Sequence, residues 1–117
     1  LGHAGSSGTP SLTATGSLEA GGDGGLLLLR DAQANSWAQL VLGFEAGSIP
    51  LRGGTLVPWP LAAVLGFTTD PLGGADMPYA APAASHAGLQ FFVQVWIQDH
   101  GASEGWASTN GLAATVP

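Results

Sequence analysis

Between Leu89 and Gln98 the chain alternates. Leu89, Phe91, Val93, Val95 and Ile97 form one wholly apolar face, and Gln90, Phe92, Gln94, Trp96 and Gln98 form a mixed one. A period of two held over such a run predicts a β-strand, because helical geometry would scatter these residues around the axis. Trp37 to Phe44 repeats the pattern, with Ala38, Leu40, Leu42 and Phe44 on one side and Trp37, Gln39, Val41 and Gly43 on the other. Ser11 to Gly16 is a shorter version, in which Leu12 and Ala14 share one face and Thr13 and Thr15 the opposite one. Leu26 to Leu29 is continuously apolar and follows glycines, which predicts a strand reaching Arg30 and covered on both faces. Ile49 to Leu51 and Thr55 to Pro58 read as short extended pieces. Pro50, Pro58 and Pro60 confine them to a sheet edge or to the space between sheets, since proline cannot donate to a ladder. Ala62 to Thr68, Ala75 to Ala81 and Ala113 to Val116 complete the set of expected strands.

Polar and glycine-rich segments separate these runs: Glu19–Gly25, Asp31–Ser36, Asp70–Gly74, Pro82–Gly88, Asp99–Gly105 and Asn110-Gly111. No stretch carries a helical period. About eight short strands with turn residues at roughly 8–12-residue intervals predict an all-β fold, an antiparallel β-sandwich of jelly-roll or immunoglobulin-like type. Residues 1–16 are expected to be a Gly/Ser leader with one short strand, and residues 17–117 a single sandwich domain. Trp37 and Trp96, placed in strands, are expected in the core. Trp59, between two prolines, and Trp106, in a turn, are expected at the surface.

Composition narrows the function. Of 117 residues only 9% are charged, whereas about a quarter is usual in a globular domain. The chain still has 45% apolar residues and four Trp to bury, so it is not a charge-rich disordered segment. It lacks the Glu, Lys and Arg that would coat a coiled coil or helical bundle. The 2 cations, Arg30 and Arg52, and a net charge of −6 exclude phosphate-tracking nucleic-acid binding. With no Cys there is no disulfide framework and no cysteine zinc site. No apolar run approaches the ~20 residues of a membrane-spanning helix. The first residue is Leu1 rather than Met, which suggests a processed, exported chain or else an excerpt of a longer one.

Candidate chemistry is sparse. His3 and His86 lie in Gly, Ser and Ala surroundings and read as solvated residues. Asp99-His100 could be half of a triad with Ser103 or Ser108, but no Gly-x-Ser-x-Gly elbow accompanies it, and no catalytic role is expected. Asp70 and Asp76 flank a Gly-Gly turn without the repeated carboxylates of a calcium loop. Gly21 to Gly25 lacks the lysine of a phosphate loop. Neither metal nor cofactor is expected.

Two binding readings remain. In the first, the leader strand Leu12, Thr13, Ala14 and Thr15 is inserted into a neighbouring copy, with Leu12 and Ala14 as knobs. The module then assembles with itself into a filament or surface layer. A surface poor in charge favours this, because little has to be desolvated when copies pack. In the second, Trp59 and Trp106 stack on sugar rings and the module is a lectin-like adhesin.

Several segments together carry a family resemblance. They are Gly2-His3-Ala4-Gly5, Thr9-Pro10-Ser11-Leu12, Gly21-Gly22 before the four leucines, Ile49-Pro50-Leu51 and Thr69-Asp70-Pro71-Leu72-Gly73-Gly74. With them go Gly88 to Asp99 and Ser108-Thr109-Asn110-Gly111-Leu112. In this order they resemble the Gly-rich β-sandwich modules at the C-terminal ends of exported and surface proteins of planctomycete-type bacteria. The most specific part is Gln94, Asp99, Ser108, Asn110 and Gly111. Members of that family commonly carry a Cys in the opening segment, where this chain has His3 or Ala4, so a disulfide typical of the family is missing. The resemblance implies a sandwich fold, an extracellular or cell-surface location and no particular activity.

Overall fold

A computed structural model describes residues 4–6, 8–16, 25–51, 54–79 and 88–115. The strands in chain order are β1 (Ser11–Gly16), β2 (Gly25–Arg30), β3 (Trp37–Gly43), β4 (Ala46–Leu51), β5 (Gly54–Pro58), β6 (Leu61–Thr68), β7 (Ala75–Tyr79), β8 (Gln90–Gln98), β9 (Trp106–Ser108) and β10 (Leu112–Thr115). A 3-10 turn at Ser103–Gly105 is the sole helical element among the described residues, and no helix there could cross a membrane. The expected turn at 19–25 and loop at 82–88 fall mainly outside the described residues, as do His3, His86 and Arg52.

The strands pair antiparallel throughout. One sheet has the order β1-β2-β7. The larger sheet runs β6-β3-β8, and β9 and β10 both pair with β8 beyond it. Strands β4 and β5 form a separate hairpin. This arrangement is an immunoglobulin-like sandwich rather than a jelly roll: strands one, two and five of the basic sandwich share a sheet against three, four, six and seven. The β4-β5 hairpin is the addition to that plan.

Alternation decides which residues meet. Ala38, Val93, Val95 and Ile97 pack against Leu12 and Leu29 of the smaller sheet, forming the inter-sheet core. The opposite faces of β3 and β8 present Val41 and Trp96, which Leu56, Ile49 and Leu51 of the hairpin cover. The larger sheet is therefore the middle of three layers, and β8 is buried on both sides. This corrects the expectation for Leu26 to Arg30. In β2 only Leu29 is fully buried, Leu27 packs on the core, and Leu26 is exposed on the other side.

One further expectation changes. Trp106 opens β9, Trp106–Ser108, instead of lying in a turn, and this added strand brings the number to ten. Strand β1 lies on its own chain, each residue from Ser11 to Gly16 facing a β2 partner from Arg30 to Gly25, with Leu12 wholly buried. Within the single chain the leader strand thus pairs with β2. Burying Leu12 in this core is worth about 2 kcal/mol, which an unpaired leader would forgo.

The crossings between sheets are locked to each other. Ser36 N donates to Thr69 Oγ1 at 2.8 Å, Thr69 Oγ1 donates to the Gln33 carbonyl at 2.6 Å, and Gln33 Nε2 donates to Ser36 Oγ at 2.7 Å. Gly73, with φ of +76°, brings its carbonyl 3.0 Å from Ala32 N. A side chain at Gly73 would strike the Ala32 carbonyl.

Candidate functional surfaces

Gln94, Asp99 and Asn110 of the most specific sequence segment are structural clamps. Gln94, on the hairpin side of β8, uses all its amide valences: Nε2 donates to Thr55 O and Thr109 O, each at 3.0 Å, while Oε1 accepts Val57 N at 3.0 Å and Trp96 Nε1 at 3.2 Å. Thr109 fills the gap between β9 and β10, its Oγ1 accepting Val95 N at 3.0 Å. Asn110 imitates a strand, accepting Leu12 N and donating to Leu12 O, both at 3.0 Å, and so fastens β1 to the far edge of the larger sheet. Asp99 holds the leader: Ser6 N and Ser6 Oγ donate to its Oδ2 at 2.8 and 3.0 Å, and Gly101 N to its Oδ1 at 2.8 Å.

These bonds place the Asp99 carboxylate and Ser108 of the suggested triad, while the Ser103 side chain lies outside the described residues. The Asp99 carboxylate serves Ser6 and Gly101, His100 is exposed in the following turn, and Ser108 is buried with its Oγ unpartnered. Asp70 is likewise committed to its own turn, Oδ1 accepting Gly74 N at 2.8 Å and Leu72 N at 2.9 Å. Those N–H groups, with a smaller contribution from the Arg30 cation, hold its carboxyl below the usual carboxylate range. Asp76 pairs with Arg30 at 2.9 Å, both side chains being exposed. Among the described residues no group of His, Asp and Glu could hold a metal ion.

A cleft of about 730 Å3 opens between the sheets, walled by residues such as Leu27, Leu40, Phe67, Met77 and Phe91. Its size suits a ligand, but among its described lining residues only Tyr79 has a polar side chain, and that hydroxyl donates to Thr15 O. Ala14 lines the mouth of this cleft and, like Thr13 and Thr15, is exposed.

Among the described strands β6 forms one margin of the larger sheet, and every residue in it except the half-buried Phe67 is exposed. Its sequence, Leu-Ala-Ala-Val-Leu-Gly-Phe-Thr, has no charge and no proline, and Leu65 is 62% exposed. Natural sheets ordinarily blunt such margins with charge, proline or a covering element.

Trp59 and Trp106 are not brought together. Trp59 N donates to Glu45 O near the Gly43 end of β3, which pairs with Phe92, whereas Trp106 pairs with Gln98 at the other end of β8. The strand rise between Phe92 and Gln98 separates those ends by roughly 20 Å. Trp106 is half-buried against the hairpin core, and Trp59 is 46% exposed. Trp37, expected in the core, is 47% exposed. It lies on the hairpin side of β3, and its benzo ring fills the place a side chain on Gly66 of β6 would take. Only the pairing of β3 with β6 reveals this. A glycine inside the β6 pattern was the one hint available in sequence.

Comparison with known proteins found no matching family model, no matching curated protein and no matching solved structure.

Proposed function

We propose that this chain is an exported, non-enzymatic structural module that joins copies of itself into an extracellular filament or surface layer through the β6 margin of its larger sheet. The observation that carries the reading is β6 itself: a strand of 8 residues, uncharged, free of proline and exposed almost throughout. Such a margin presents unpaired backbone donors and acceptors that another strand can complete. A second copy meets the requirement without complementary charges. With −6 net charge on each copy, an uncharged contact strip is also where like charges interfere least. Pairing of β6 with β6 about a two-fold axis closes into dimers, and pairing with a different edge propagates. The extracellular setting rests on the sequence resemblance. The leader Leu12 to Thr15, paired with β2 of its own chain, supports assembly by stabilising the subunit.

Sedimentation velocity over a concentration series tests this. The chain is expected to associate, and Leu65→Lys to sediment as a folded monomer, because an edge lysine resists strand pairing. A wild-type chain that stays monomeric at every concentration, or a lysine variant that associates unchanged, would overturn the reading.

A further inference from the structure

On the hairpin side of the larger sheet, the ladder lines up a row of uncharged residues. Thr68 pairs with Trp37, and Gln98 pairs with Trp106. The register Ala38 with Ile97 and Gln39 with Trp96, continued by one step, sets Trp37 beside Gln98. The row across four strands is therefore Thr68, Trp37, Gln98, Trp106. The hairpin covers Trp96 and Val41 but leaves Trp37, Gln98 and Thr68 exposed. Gly66 supports this directly. It leaves room for the Trp37 ring to rest on the β6 backbone while nearly half of the residue faces solvent.

From this row we infer a carbohydrate-binding site for a neutral, pyranose-based polysaccharide, read by Trp37 and Trp106 with Gln98 between them. The chemistry is specific. An indole backed by the sheet and open to water offers a flat apolar face to the C–H side of a sugar ring. The amide of Gln98 offers both a donor and an acceptor to the hydroxyls at that ring's edge, and Thr68 adds a hydroxyl. Trp37 and Trp106 stand on strands two apart, about 10 Å between backbones, a span that adjacent rings of a linear glycan can cover. No residue of the row is charged and the chain carries −6, so uronic or sialic acids would be unpaired and repelled. The site is independent of β6 pairing, and it uses Trp37 where sequence alone pointed to Trp59.

Affinity electrophoresis and Trp fluorescence titration with hexamers of glucose, N-acetylglucosamine and mannose, and with polygalacturonate as the anionic probe, decide the matter. At least one neutral hexamer is expected to bind. Trp37→Ala and Gln98→Ala should each weaken it, the former about tenfold. Trp59→Ala should leave it unchanged, as should Leu65→Lys, which separates this site from the association margin. Gln98 is an exposed residue whose replacement spares the core, so loss of binding there cannot be assigned to misfolding. Binding to no neutral hexamer, preference for polygalacturonate, or binding that persists in both Trp37→Ala and Gln98→Ala would overturn the inference. So would sensitivity to Trp59→Ala alone. If Trp37→Ala abolished self-association without any glycan binding, the row would be a protein contact and the inference would be wrong.

Discussion

The two margins of the larger sheet are built in opposite ways. At the β9/β10 margin the ladder is interrupted at 109–111, yet buried side chains repair it: Thr109 serves Val95, Asn110 serves Leu12, and Gln94 ties the whole to the hairpin. At the β6 margin the ladder to β3 is regular from Trp37 to Leu42. One margin is closed by specific polar residues and the other left open by a run of plain apolar ones. A regular ladder thus leaves an edge free to pair again, whereas an irregular, clamped one uses up its own polar groups.

Breaking the closed margin should have the largest effect. Gln94→Ala removes a buried amide with four hydrogen bonds and leaves the Thr55, Val57 and Thr109 backbone groups unpaired. A loss of about 3–4 kcal/mol is expected in denaturant unfolding. Asn110→Ala affects only the junction with β1, and about 1–2 kcal/mol is expected, with faster hydrogen exchange at the Leu12 amide. If both variants melted like the wild type, the clamps would be incidental. The far end of the open margin gives a smaller effect. β6 runs into the Asp70 turn, where hydrogen bonds favour the ionised carboxylate. Its folded pKa is depressed, so the stability it contributes is present above the ordinary carboxylate value and lost as pH falls through the lowered one. Asp70→Asn should flatten the acid limb of a melting-temperature profile while leaving its neutral region nearly unchanged. The smallest effect on stability belongs to Leu65→Lys, within about 0.5 kcal/mol, alongside the largest effect on association.

Much of this was readable along the chain. The faces of β3 and β8 follow from alternation, and residues 70–74 declare their turn through Asp, Pro and Gly. The short strands and their sandwich class follow as well. Trp37 and β2 went astray for a common reason. Apolar character shows that a face is suited to burial, but burial depends on whether another layer reaches it. The hairpin covers Trp96 and stops short of Trp37, while β2, expected to be covered twice, has one open face. The clamps were invisible differently. Asn110 lies 98 positions from Leu12, and Gln94 lies 39 from Thr55, separations at which no local pattern operates.

Sequence by itself determined the elements: where strands run, where the chain turns, and that few charged partners could be met. These depend on each residue's own backbone preferences and on neighbours one or two positions away. Tertiary structure alone decided which faces are covered, that the leader strand pairs with its own chain, and that β6 is left at an open margin. Those outcomes depend on which distant segments share a layer, and a period of two is the same on a covered face as on a bare one.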